Sequence, residues 1–198
     1  GILSARNIDL KRQVKFNPRK VHKTQIKDRS VFIRRMFSDF QALELDHFAE
    51  MDTVHSSQDS KRVILTFFLT REKLFLAFIM NRCTKGAVKL ENGINGIMRS
   101  SIYYCDPMRS GQKGGIEQAH TMLRMILPKK TSFEYLTQWD LRTIVDHINS
   151  TPRESLGGRT PYDVALENYG IDILKALQLR PIPPDEVNLT PKLIRFNH

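Results

Sequence analysis

The stretch Leu43–Met80, LELDHFAEMDTVHSSQDSKRVILTFFLTREKLFLAFIM, decides the reading of this chain. It holds three apolar runs. LELDHFAEMDTVH ends in polar residues, KRVILTFFLT is followed by the short turn TREK, and KLFLAFIM closes the set. Runs of this length, rich in Ile, Leu and Phe and bounded by polar breaks, are strands that bury at least one face. Two tight connections make an antiparallel meander the expected arrangement. Strict alternation along AEMDTVH puts Phe48, Glu50, Asp52 and Val54 on one side of the first strand. Two carboxylates sharing a face attract a cation, and hard divalent ions such as Mg²⁺ take carboxylate oxygens. The alternative is a pair of solvated acids on an edge strand.

Upstream, SVFIRRMFSDF reads as a brief helix or turn leading into the domain. Downstream the pattern changes. NRCTKGAVKLENGINGIMRS has no sustained period, SIYYC reads as a further strand, and DPMRSGQKGG is a glycine-rich loop. A strong helix follows in IEQAHTMLRMILP, with Ile116, Ala119, Leu123 and Ile126 or Leu127 on one stripe and Pro128 closing it. TQWDLRTIVDHINS is the next helix. Thr137 is its N-cap, Asp140 completes an Asp version of the capping box, and Leu141, Ile144, Val145 and Ile148 form its stripe. TPYDVALENYG starts a third helix with Pro161 in its first turn and Gly170 at its end, and IDILKALQL adds a short fourth. The proline-rich tail RPIPPDEVNLTPKLIRFNH reads as extended. Strands followed by helices give an α/β plan with a mixed sheet, in one domain over residues 36–180 between a basic arm at 1–35 and the tail at 181–198.

The chain has 198 residues and a formal charge of +10. That charge is concentrated. Residues 1–35 hold 11 Lys or Arg against two acids, while the remainder holds 20 against 19. A basic arm attracts polyanions, DNA or RNA first, and Lys11, Arg12, Lys15, Arg19 and Lys20 are its candidate phosphate contacts. No run of eighteen apolar residues exists, so no membrane span is expected. Cys83 and Cys105 are too few for a disulfide framework or a zinc site and fit a cytosolic compartment as small core residues.

Glu117 lies at the start of the helix after RSGQKGG, next to Ile116 on the buried stripe. It can serve the positive helix end or point back at the sheet, and Lys113, His120 and Thr121 can line the same groove. Arg109, Lys113 and the glycines suit close approach to a phosphate backbone. Tyr103 and Tyr104 can stack on bases or brace a strand.

The residues from Tyr103 to Leu166, from YYCDPMRSGQKGGIEQAHTML through NSTPRESLGGRTPYDVAL, resemble the end of the catalytic domain of bacterial insertion-sequence transposases, and most closely the insertion-sequence family numbered thirty. AEMDTV is similar to the segment carrying that family's first catalytic Asp, and the helical Glu after GG to its last catalytic Glu. The resemblance implies an RNase-H-like integrase core acting on DNA, with three carboxylates and two Mg²⁺ or Mn²⁺ ions, in a bacterial nucleoid-associated enzyme that works as a homo-oligomer. Carried over by match, Asp52 and Glu117 are catalytic and metal-binding, Glu50 tunes the site, Arg109 and Lys113 contact the DNA backbone, and Asp106 is structural.

The chain departs from the family in its middle. Only 65 positions separate Asp52 from Glu117, and no Asp-x-Gly-x-Glu-Phe-like segment carries a second Asp. The RNase-H-like sheet is therefore expected to be incomplete. A degenerate copy, a dropped internal segment, and a minimal domain with Glu91 or Asp106 as the middle carboxylate all remain open. The family's amino-terminal helix-turn-helix is expected to be missing as well.

Overall fold

The computed structural model describes residues 35–56, 61–81, 100–106 and 109–194. Its sheet is the expected meander: β1 (Ala49–His55), β2 (Arg62–Leu69) and β3 (Leu74–Asn81), antiparallel in the order β1-β2-β3. A short helix α1 (Phe37–Gln41) precedes it. After it come α2 (Gly114–Ile126), α3 (Gln138–Asn149), α4 (Pro161–Tyr169) and α5 (Ile171–Ala176).

Directly opposed residues share a face of a sheet. The register pairs Glu50 with Phe68, Asp52 with Thr66 and Val54 with Ile64, and then Ile64, Thr66 and Phe68 with Ile79, Ala77 and Phe75. Val54, Ile64, Thr66, Phe68, Phe75 and Ala77 are all buried, so this is the core face. α2 packs on it over β1 and β2, and α3 over β3. The predicted stripes are the ones that go inside: Ile116, Ala119, Leu123 and Ile126 of α2, and Leu141, Ile144, Val145 and Ile148 of α3. Glu50 and Asp52 therefore point toward the helices. Half-buried, they are not the solvated pair of the alternative reading.

Local chemistry fixes the helix ends as expected. The Asp140 N–H donates to the Thr137 hydroxyl oxygen at 3.1 Å, and the Asp140 carboxylate takes the Thr137 N–H at 2.9 Å. The Thr160 hydroxyl caps α4 by accepting the Asp163 N–H at 3.1 Å, with Pro161 in the first turn.

Two expectations are corrected. SIYYC is not a strand: Tyr104 makes one isolated parallel bridge to Met36, and the run is otherwise irregular. A ladder needs a continuing partner, and the partner segment turns into α1 at Phe37. All three described strands are thus antiparallel, and the expected mixed sheet reduces to that one bridge. The tail is not simply extended either. It holds a 3₁₀ turn at Pro191–Leu193, Ile194 is buried, and its backbone is tied to α3. The N–H groups of Arg180, Ile182 and Asn188 donate to Asp146 Oδ1, Ser150 Oγ and His147 Nδ1 at 3.0, 2.9 and 3.1 Å.

Candidate active site

The seam between β1 and the start of α2 gathers most of the residues singled out from the sequence. α2 begins with no capping side chain of its own, because Lys113 precedes it. The first backbone N–H groups of a helix have no intrahelical acceptor. Glu50 supplies one from across the fold: its Oε2 accepts the Ile116 N–H at 2.5 Å. A carboxylate at a positive helix end is favoured by both the hydrogen bond and the dipole. The helix can reach the sheet because residue 115 is glycine. A Cβ there would lie 2.4 Å from Phe68 Cε1 and 3.1 Å from Glu50 Oε2. Gly111 and Gly114 meet nothing within 4 Å. The second glycine of GG thus has a packing reason, which the phosphate reading of the loop did not include.

Asp52, two residues on, has different partners. The Lys113 ammonium sits 3.1 Å from its Oδ1, with side chains 24% and 36% exposed. The Asp52 carbonyl accepts the Thr66 hydroxyl at 3.0 Å, and that oxygen lies 2.8 Å from His120 Nε2. Phe75 stands edge-on to the His120 ring. Burial holds the His120 pKa below its ordinary value, Asp52 and Glu117 pull it up, and Lys113 and Arg124 push it down. The imidazole is therefore a neutral pivot to which both candidate acids are close enough to matter. Glu117 is half-buried one turn before it, its carbonyl taking the Thr121 hydroxyl at 3.1 Å. Cys105 lies near the same charges, and burial is the main effect raising its thiol pKa, which leaves it a poor nucleophile.

The other predicted residues are dispersed. Arg109 is 73% exposed and only 4.0 Å from Asp106 Oδ2 at its closest, on the rim of a cleft with Met36, Phe37 and Gln112. Asp106 is engaged by Gln112 in both directions: its N–H donates to Gln112 Oε1 at 2.8 Å and its Oδ2 accepts from Nε2 at 3.0 Å. Tyr103 packs on Phe40, which in turn meets Phe48 edge-on, so its ring braces α1 against the sheet. Lys11, Arg12, Lys15, Arg19, Lys20, Cys83 and Glu91 lie outside the described residues. Among the described residues, no three Asp, Glu, His or Cys side chains converge to hold a metal ion. With Glu50 committed to α2, Asp52 and Glu117 remain as oxygen donors of the kind a hard cation takes.

No protein-family model matches the chain, and no solved structure matches it. Over 63 residues, 32% of this chain, it is 36% identical to the transposase for insertion sequence element IS1086 of Cupriavidus metallidurans, a stretch covering 19% of that relative. Over 63 residues it is 33% identical to the transposase InsI for IS30A of Escherichia coli, covering 16% of it. Over 60 residues it is 32% identical to the transposase for IS4351 of Bacteroides fragilis, covering 18% of it. Its curated relatives are insertion-sequence transposases. The matched stretch spans less than a fifth of each. No described helix is long and apolar enough to cross a membrane.

Proposed function

We propose that the described residues are part of the catalytic core of an insertion-element transposase, an RNase-H-like domain that breaks and joins DNA strands. The observation that carries this reading is the β1–α2 seam, where half-buried Asp52 on β1 pairs with Lys113 just before α2 and half-buried Glu117 lies in the first turn of that helix, in a chain whose relatives are transposases. Asp52 and Glu117 would hold Mg²⁺ or Mn²⁺, since such ions take one or two carboxylates and complete their shell with water and substrate phosphate. When bound, the metal supplies activation of water or a DNA 3′-hydroxyl and stabilisation of the leaving oxygen. The chain's own groups do the rest. Glu50 and Gly115 fix α2 against β1, so that the acid on each element keeps its place. Thr66 and His120 brace the Asp52 backbone. Lys113 balances the Asp52 charge, and Arg109, exposed and only loosely paired with Asp106, can meet a phosphate. The element ends and the target are the DNA partners, and the chain acts as a homo-oligomer on paired ends.

A second reading is favoured by a specific observation. Glu50 is committed, Lys113 occupies Asp52, and Asp106 is engaged by Gln112. A DNA-binding remnant without strand transfer needs nothing more than this. Incubation of the protein with labelled DNA in Mg²⁺ or Mn²⁺ separates the two. Nicking or joining that disappears in Asp52→Asn and Glu117→Gln is the expected result for the enzyme. Binding that weakens with salt, with no cleavage in either metal, establishes the remnant instead.

A further inference from the structure

The face of α3 away from the acidic seam carries a cluster that the transposase reading does not use. Trp139 is the chain's one tryptophan and is 59% exposed. Large aromatic rings are normally sheltered, and this one stands largely in water at a helix start. Two guanidiniums lie against it. Arg142, one turn along the helix, is 5.4 Å from the ring centroid, and Arg180, from beyond α5, is 5.6 Å away. Arg180 is held there because its N–H donates to Asp146 Oδ1. The Asp146 carboxylate acts on both guanidiniums, but among the described residues neither is in a close ion pair. Arg142 also lines a groove with Leu76, Phe78, Leu177, Leu179 and Gln138. Phe78 is 41% exposed at its edge.

An exposed indole, paired guanidiniums that a phosphate can draw off its ring, and a nearby apolar groove are the parts of a stacking platform for unpaired bases. Every base offers a π-face to the indole, and the backbone phosphates take the guanidiniums. A duplex keeps its bases stacked on each other and has no free face to give. We propose that Trp139, Arg142 and Arg180 form a binding site for single-stranded DNA, on the β3 side of the fold and separate from the β1–α2 seam. The site rests on the reading of the chain as a DNA-handling protein. It assigns a place for a strand whose pairing has been opened.

The lone tryptophan makes the test direct. The full chain is titrated with a dye-labelled thymidine dodecamer, following indole emission for this site and dye anisotropy for binding anywhere. Saturable quenching of the indole is expected, weaker with a duplex of the same length. Trp139→Ala should lower the anisotropy affinity about tenfold, as loss of a base-stacking ring does. Arg142→Gln with Arg180→Gln should abolish quenching while circular dichroism stays native, and Lys113→Ala should leave quenching intact. Binding seen by anisotropy without quenching, and unchanged in Trp139→Ala, overturns this site and leaves the DNA-handling reading standing. Equal quenching by duplex and single strand overturns the selectivity. An emission change that follows protein concentration without DNA assigns the face to self-association and overturns the proposal. No binding of either DNA form overturns both readings.

Discussion

The two outer strands of the sheet are finished in different ways. Along β3, side-chain amides of α3 stand in for a missing strand. Asn149 accepts the Phe75 N–H at 2.9 Å and donates to its carbonyl at 2.8 Å. Gln138, three turns back on the same helix, accepts the Ile79 N–H at 2.9 Å and donates to the Ala77 carbonyl at 3.1 Å. Three alternate residues of the strand are thus met by uncharged groups that a helix presents in register. Beside β1 the contacts run to α2 from the sheet face and are mainly charged: Glu50 takes the Ile116 N–H, Lys113 pairs with Asp52, and the neutral His120 meets Thr66. An open strand edge pairs indiscriminately unless it is blocked. The β3 edge is blocked by neutral amides. The β1 side keeps a charged seam, and charge is what a nucleic-acid substrate or a metal ion can exchange with. The difference separates a structural edge from a chemical one.

The largest test breaks the neutral edge. Asn149 and Phe75 are both fully buried. In Asn149→Ala both backbone groups of Phe75 lose their partners in a place water does not reach. Each unsatisfied buried group costs about 1–3 kcal/mol, so a loss of about 3 kcal/mol is expected in urea denaturation. Gln138 is exposed, and water can replace it. Gln138→Ala should cost about 1 kcal/mol or less. Equal losses from the two would show that the amides do not act by sealing a dry edge.

Next is the contact that sets the charged seam. Gly115→Ala gains about 1 kcal/mol of helix propensity, but its methyl meets the Phe68 ring at 2.4 Å. Overpacking typically costs about 1–3 kcal/mol, and a net loss of about 1–2 kcal/mol is expected. Phe68→Leu combined with it should lose less than the two singles added together, because the added methyl then has room. Additive losses would place the strain elsewhere.

Lys113→Ala should change stability by less than about 1 kcal/mol, since a partly exposed ion pair contributes little and salt screens it. The same variant should bind Mn²⁺ more tightly, read by the ion's paramagnetic resonance, if Asp52 is a ligand that the ammonium competes for. Unchanged Mn²⁺ binding in Lys113→Ala and in Asp52→Asn would remove Asp52 from the metal proposal.

Contacts close in sequence could be read before the structure. Thr137 and Asp140 are three residues apart and cap α3 as their spacing requires. Alternation put Glu50 and Asp52 on one face, and the register confirms it. What alternation could not supply was the division of labour between them. That is set by what lies opposite and above: Phe68 and an uncapped helix for Glu50, Thr66 and Lys113 for Asp52. The amides that seal β3 act across 59 to 74 residues of chain. Neither Gln138 nor Asn149 belongs to a periodic pattern, so no local signal announces them. SIYYC has strand composition, yet a strand also needs a partner of its own length, and composition does not report that. The Trp139 cluster was half legible, since Arg142 is three residues on in the same helix, while Arg180 arrives only through the fold.

The smallest effect is the one that most sharpens the contrast, because the charged seam holds a titrating group and the amides on the β3 edge do not titrate. Burial is the main reason the His120 pKa lies below its ordinary 6.5 in the folded protein. A histidine depressed on folding takes up its proton more readily when unfolded. Its contribution to stability is therefore complete above pH 6.5 and is lost as pH falls through that value toward the folded pKa. Protonation would also add a cation beside Lys113 and Arg124 and force the ring to donate, not accept, at both nitrogens. His120→Gln keeps a side chain able to reach the Thr66 hydroxyl but cannot titrate. Other groups titrate over the same range: His147 is also depressed by burial, with Glu186 raising it only in part, while burial pushes the Asp146 carboxyl up to about 6, which works in the opposite sense. The readout is the difference between wild type and His120→Gln: constant above pH 6.5, then moving in favour of the variant as pH drops. The cost of Asn149→Ala, carried by an amide, should stay flat over the same range. If the wild-type and His120→Gln curves fall in parallel, His120 is not linked to folding, and the β1–α2 seam is no more pH-sensitive than the edge sealed by amides.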